Sequence, residues 1–365
     1  MIFAMVVIGG ITRLTWSGLS ITEWQPVTGI VPPLSAAGWQ AEFAKYQQTA
    51  QYKLLNAGMS VDDFKTIFLW EYVHRLWGRL IGFVYALPFL YFLIRGRIPR
   101  RLTWPLAGIF ALGFAQGVLG WYMVESGLAD RIEVSQYRHT AHLVLALVIY
   151  AATLWTALGL LGESPSLSAP GGGESRGEVG DSSGVGAFPP HPPIAARWAT
   201  PSPPNGRRGF LWRRGAEIVI GLVSLTIAAG GFVAGLNAGL THNTFPLMDG
   251  SFVPAGYAQL EPFIRNCFEN VAAVQFDHRI LAMMTAGAVV LLWFAGNRAT
   301  LPSPARHALH ALLAIALLQL SLGISTLLLV VPIPLAAAHQ AGAVLLLTAA
   351  IVLRHQLRTV RGAGI

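Results

Sequence analysis

The chain has 365 residues, of which 54% are apolar and only 12% charged, too few charged groups to clothe a soluble globule of this size. Its net charge of +8 does not mark a nucleic-acid binder, because the arginines sit in short clusters between apolar runs rather than along a solvated face. The single cysteine, Cys267, excludes an intrachain disulfide and reads as a free structural thiol.

A bilayer core about 30 Å thick requires roughly 20 mostly apolar helical residues. The opening apolar run, Met1 to Ile11, falls short of that and lacks the basic region and cleavage site of a signal peptide. It is expected to be the outer half of a span whose start precedes Met1. Full-length spans then begin near Ile67, Trp104, Thr140, Ala216, Val271, Ala308 and Leu335. Residues 162–215, rich in Gly, Pro and Ser and without apolar periodicity, are expected to form a disordered cytoplasmic linker.

Basic residues are retained on the cytoplasmic side, so the short connections set orientation. Arg95 to Thr103, Gly296 to Arg306 and Arg354 to the C-terminus carry nine arginines and no acid, and should be cytoplasmic. The alternate connections, Arg13 to Lys65, Glu125 to Arg138 and Asn237 to Asn270, hold seven basic and ten acidic residues and should face outward. The 22 arginines against three lysines, with abundant Ala and Gly, suit a bacterium with a GC-rich genome, hence an inner membrane with a periplasmic outer side.

The two sides of the linker repeat one another. Gly9 to Ser20 aligns without gaps to Gly230 to Thr241, His74-Arg75 matches His278-Arg279, and Gln116 with Gly120 matches Gln319 with Gly323. His142 and His339 then fall near the starts of the fourth and eighth spans. Both halves begin on the same side, so this is a parallel duplication about an axis along the membrane normal. The expected fold is an all-α polytopic membrane protein of eight transmembrane helices, the first truncated, arranged as two pseudo-symmetric four-helix bundles in residues 1–161 and 216–365.

Ionisable side chains inside spans are costly and mark function. His74, His142, His278 and His339 are all expected in the outer leaflet, one pair per bundle, and facing imidazoles in an apolar four-helix bundle suit heme iron. One such histidine alone would read as a satisfied core residue; four in register do not. Zinc is disfavoured because neither half offers a close-spaced ligand set. His139 has no counterpart in the second half and reads as interfacial, His307, His310 and His355 as cytoplasmic-side, His191 as linker and His242 as outer loop. Arg75 and Arg279 need anionic partners at membrane depth: heme propionates would serve, and so would Glu71 for Arg75 or loop acids for Arg279. Asp277 reads as a loop anchor. Glu71 lies one turn outward from His74, whereas the matching residue is Gln275, so the first half alone has a carboxylate beside its site.

The strings Gly9 to Thr15, Ser17 to Ser20, Glu23-Trp24-Gln25-Pro26, Glu71 to Arg75, Tyr137 to Leu143, Asn243 to Met248, Gln275 to Arg279 and His339-Gln340 resemble the heme A synthase family, closest to its alphaproteobacterial and mitochondrial branch. The resemblance spares only the linker, which is longer than the family's pattern suggests, and the paired outer-loop cysteines of other branches are absent. It implies oxidation of a ring methyl of heme O to a formyl group, giving heme A for cytochrome oxidase assembly. By the same resemblance His278 and His339 ligate a resident heme b, and the cation at membrane depth makes Arg279 a candidate for its propionates. His74, His142 and Arg75 hold the substrate heme, with Glu71 as the catalytic group. Heme O synthase, an unidentified electron acceptor, membrane lipid and a second copy of the chain are the implied partners, and nucleic acid is not. The competing reading is a di-heme b-type protein that only carries electrons, though one-depth ligands suit it poorly. A transporter is supported by the duplication alone.

Overall fold

The computed structural model describes residues 1–25, 28–130, 132–162 and 207–358, and most of the expected linker, with His191, lies outside them. Among the described residues every regular element is helical: α1 (Ile2–Leu14), α2 (Ala36–Tyr46), α3 (Ala50–Leu55), α4 (Val61–Ile94), α5 (Arg100–Asp130), α6 (Gln136–Gly162), α7 (Arg207–Gly235), α8 (Asn266–Glu269), α9 (Val271–Asn297), α10 (Ser303–Leu328) and α11 (Ile333–Gln356). Seven of these, α4 to α7 and α9 to α11, are long and apolar enough to cross a membrane. The chain is therefore an all-α polytopic membrane protein. Helix α1, at 13 residues, is shorter than a span.

Most long helices start earlier than hydropathy alone suggests. Helix α4 begins at Val61 rather than near Ile67, and α7 begins at Arg207 rather than Ala216, so the last residues assigned to the linker are helical. Hydropathy marks only the stretch that needs lipid, whereas a helix satisfies its own backbone and runs on until capped. For α4 the cap is Ser60, whose hydroxyl accepts from the Asp63 N–H, with Asp62 and Asp63 complementing the helix dipole. Helix α9 does start at the expected Val271, because Asn270 caps it there by accepting from the N–H groups of Ala272 and Ala273.

Packing closes two rings. Helix α1 packs on α4 and α6, and α5 packs on α4 and α6; likewise α7 packs on α9 and α11, and α10 on α9 and α11. The rings meet where α6 touches α7 and α11, and where α1 touches α11. Val219, Val223, Val289, Leu312 and Leu347 fill the second ring, and the same apolar cluster runs through Val6 and Leu147 into the first. Large apolar side chains such as Phe83, Leu87, Trp104 and Phe114 stay exposed on α4 and α5, as a lipid-facing surface requires. Tyr46 stacks on Phe64 at 5.2 Å between ring centroids and fastens α2 to the N-terminal end of α4.

The duplicated segments adopt the same backbone. Helices α1 and α7 both end on a left-handed residue, Trp16 (φ 57°) and Asn237 (φ 52°), followed by one 3-10 turn, Ser17–Leu19 or Ala238–Leu240. Each turn delivers the following loop to the helix that carries the next histidine.

Candidate functional site

The first histidine of each half lies on the second helix of its ring and the second on the fourth, so the members of a pair project from diagonal corners: α4 and α6, then α9 and α11. His74 and His142 are within electrostatic reach of each other, and so are His278 and His339. All four side chains are half-buried.

Each imidazole lies against a glycine of an adjacent helix. A Cβ on Gly9 of α1 would stand 3.4 Å from His74 Cε1, one on Gly120 of α5 3.0 Å from His142 Cε1, one on Gly230 of α7 3.0 Å from His278 Cε1, and one on Gly323 of α10 2.8 Å from His339 Cε1. At Gly120, Gly230 and Gly323 glycine is thus a space requirement, since a Cβ there would crowd the imidazole, whereas at Gly9 a Cβ would meet His74 at ordinary contact distance. One turn before the second glycine of each half, Gln116 donates from Nε2 to the main-chain carbonyl of His142 (3.1 Å), and Gln319 does the same to His339 (2.9 Å). The sequence repeat displayed these glycines and glutamines but assigned them no role. Their signal was their register with the histidines.

Protein does not satisfy every ring nitrogen of the four imidazoles. His142 Nδ1 and His339 Nδ1 are buried without a partner in equivalent places, and an unsatisfied buried polar atom is costly enough to need a reason. His278 Nδ1 lies 3.1 Å from the carbonyl of Thr226. Donation to that carbonyl assigns the proton to Nδ1 and leaves the Nε2 lone pair free, the arrangement usual for a metal-bound histidine. Among the described residues no group of three or more His, Cys, Asp or Glu side chains could hold a bare metal ion. Two imidazoles from diagonal helices, each beside a glycine in an apolar bundle, are a donor set suited to heme iron instead.

The loops that follow α1 and α7 are strapped to the histidine helices in a repeated way. Arg75 donates to the carbonyls of Ile21 (2.9 Å) and Glu23 (3.0 Å), and Arg279 donates to those of His242 (2.6 Å) and Thr244 (2.8 Å), residues that occupy matching positions. Both arginines therefore hold main-chain carbonyls, and Arg75 also donates through Nε to Glu71 Oε1 (2.9 Å). Glu71 is 3% exposed, and its Oε2 accepts from Ser20 Oγ and the Ile21 N–H, each at 2.7 Å. Gln275 inverts this polarity: its Nε2 donates to the carbonyls of Ala238 (2.9 Å) and Thr241 (2.6 Å), and its Oε1 is unpartnered.

His139 is half-buried one turn outward from His142, within electrostatic reach of His74, His142 and Arg13. The first half therefore gathers three imidazoles where the second has two, although its sequence position suggested an interfacial residue. His242 sits in the outer loop and pairs through Nδ1 with Asp249 (2.6 Å). His310 accepts from Trp293 Nε1 (2.9 Å), His355 meets Trp155 edge to face, and His307 lies in the first turns of α10, so none of the three belongs to the paired sites. Asp277 accepts from Tyr257 of the outer loop (3.0 Å), as a loop anchor should. The Tyr257 hydroxyl is pushed up to about 12, by burial first and by that hydrogen bond second, so it remains a donor at neutral pH. Cys267 is free and half-buried.

The fold and the site define a multi-pass helical membrane protein with two in-register imidazole pairs. Residues 1–180 and 192–351 match the COX15-CtaA family of cytochrome oxidase assembly proteins, and the chain belongs to that family. It is 50% identical to a heme A synthase of Nitrosospira multiformis over 98% of this chain and 90% of that protein. It is 47% identical to a heme A synthase of Rhodospirillum centenum over 98% and 86%. With the human heme A synthase COX15 it shares 43% identity over 97% and 79%.

Proposed function

We propose that this protein is a heme A synthase, an oxidoreductase that converts heme O to heme A by oxidising one ring methyl to a formyl group through two hydroxylations and a loss of water, the four electrons leaving to an external acceptor. Family membership and full-length similarity to heme A synthases support the activity. The observation that carries it is the duplicated pair of imidazoles from diagonal helices, each beside a glycine.

In this reading α1 joins the seven membrane-crossing helices to give eight membrane helices in two four-helix bundles, and the arginine-poor loops face the periplasm across the inner membrane. The closed order of helix contacts supports the bundles, and the arginine distribution supports the orientation. His278 and His339 hold a resident heme b; His74 and His142 hold heme O. The asymmetry supports this assignment, since Glu71 and His139 belong to the first half alone. Held by His278 and His339, a heme would supply one-electron redox capacity beside the reacting site.

The chain's own residues supply position and charge. Glu71 places a carboxylate one turn from His74, where it stabilises positive charge developing at the substrate. Its bonds to Ser20, Ile21 and Arg75 hold it there and fix the outer loop over the site. Of its five N–H donors Arg75 keeps one for a propionate, the rest going to Glu71, Ile21 and Glu23, whereas Arg279 keeps three while strapping its loop. Heme O synthase upstream and cytochrome oxidase assembly downstream are the corresponding partners.

Heme extraction from the purified protein, followed by turnover of added heme O, tests the function. Heme b together with heme O or heme A, and formation of heme A, are the expected results. Two permanent b-type hemes and no heme A would show an electron carrier instead.

The glycine floors give a separate expectation. Gly323→Ala places a Cβ 2.8 Å from His339 Cε1 and 3.4 Å from Nδ1, so the ring must shift. Overpacking of this kind costs about 1–3 kcal/mol, or roughly a 5- to 150-fold loss of affinity. Heme b occupancy at limiting heme should fall accordingly, with heme O binding at the first site retained. Gly120→Ala should do the reverse, and quantifying extracted hemes distinguishes the two.

A further inference from the structure

We propose that Gln340 is a positioning residue through which the resident-heme half shapes the substrate site, an inference that rests on the assignment of the two sites above. Helix α1 carries two adjacent glycines with different duties: Gly9 faces His74 within its own ring, whereas Gly10 faces α11 of the other ring. Helix α7 repeats this, with Gly230 against His278 and Gly231 against Thr140 and Leu143 of α6. Each half thus offers one glycine to its own histidine and one to the opposite half.

The two crossings are equivalent in position but not in chemistry. Leu143 follows His142 as Gln340 follows His339. At one crossing the Leu143 side chain makes an apolar contact with Gly231, Cδ2 lying 3.4 Å from where its Cβ would stand. At the other, the Gln340 amide lies where a Cβ on Gly10 would stand, and its Nε2 donates to the Val6 carbonyl at 2.9 Å. Val6 is 5% exposed, so water offers no replacement for this bond. The side chain next to the His339 ligand therefore pins the helix on which His74 rests. Because α1 meets Gln340 at Gly10 and His74 at Gly9, a shift of α1 on α11 changes the space at His74 directly.

The test uses the full-length protein loaded with heme b and titrated with heme O. Gln340→Met keeps the volume but removes the donor, and Gly10→Ala expels the amide by a different route. Interhelical hydrogen bonds in membrane proteins have measured strengths that convert to about three- to twentyfold in affinity. Both variants should weaken heme O binding and raise its KM by about that factor, while heme b content and its bis-imidazole spectrum stay unchanged and kcat at saturating heme O is retained. A general packing role would lower both hemes together, and loss of heme b in Gln340→Met would overturn the proposal. So would unchanged heme O affinity in both variants when His74→Ala abolishes it. If His74→Ala itself binds heme O normally, the assignment of the substrate site fails instead.

Discussion

Glu71→Gln should lower conversion of heme O to heme A, per bound heme O, by about 100-fold or more, the lower end of what acid, base and charge-stabilising groups contribute to rate. The substitution keeps the side chain's shape and one acceptor oxygen, and it makes the first half resemble the second, where Gln275 already stands. Its cost in binding should be smaller. The amide would turn an N–H either toward Arg75 or toward Ser20 and Ile21, all of which are donors to Glu71. The resulting conflict loosens the outer loop without touching an imidazole. Gln275 escapes this conflict because carbonyls of Ala238 and Thr241 receive its amide. Heme A formed in a single turnover, divided by bound heme O, separates the outcomes. Near wild-type conversion with reduced heme O content would show that Glu71 serves only to anchor the loop.

His278→Ala and His339→Ala should each yield protein without heme b. Loss of an axial ligand exceeds the roughly 10- to 100-fold that losing a ligand's supporting hydrogen bond typically costs. The two imidazoles come from diagonal helices α9 and α11, so neither substitution lets a neighbouring side chain take over, and the glycines beneath them offer no donor. His74→Ala should leave heme b in place and remove heme O. The contrast is read by extracting hemes from the three variants at matched expression. Retention of heme b in His278→Ala with its loss in His74→Ala would reverse the roles of the halves.

The linear order of residues determined which stretches become helices buried in lipid, because mean hydropathy over some 20 residues reports the solvent a segment prefers. It also determined that the chain is duplicated and that the four histidines correspond, because a repeat carries chemical type and spacing together. It therefore placed His74, His142, His278 and His339 in pairs, and it exposed the difference between Glu71 and Gln275. Tertiary structure decided what those residues touch. That α4 and α6 stand at diagonal corners, with Gly9 and Gly120 under their imidazoles, depends on how four helices close a ring, and periodicity along one helix does not encode its neighbours' faces. Arg75 and Arg279 were legible as buried cations in need of partners, yet only the path of the loops after Trp16 and Asn237 brings main-chain carbonyls to them. The bond from Gln340 to Val6 joins residues 334 positions apart, and no local signal announces such a contact, because it exists only once both bundles have been packed together.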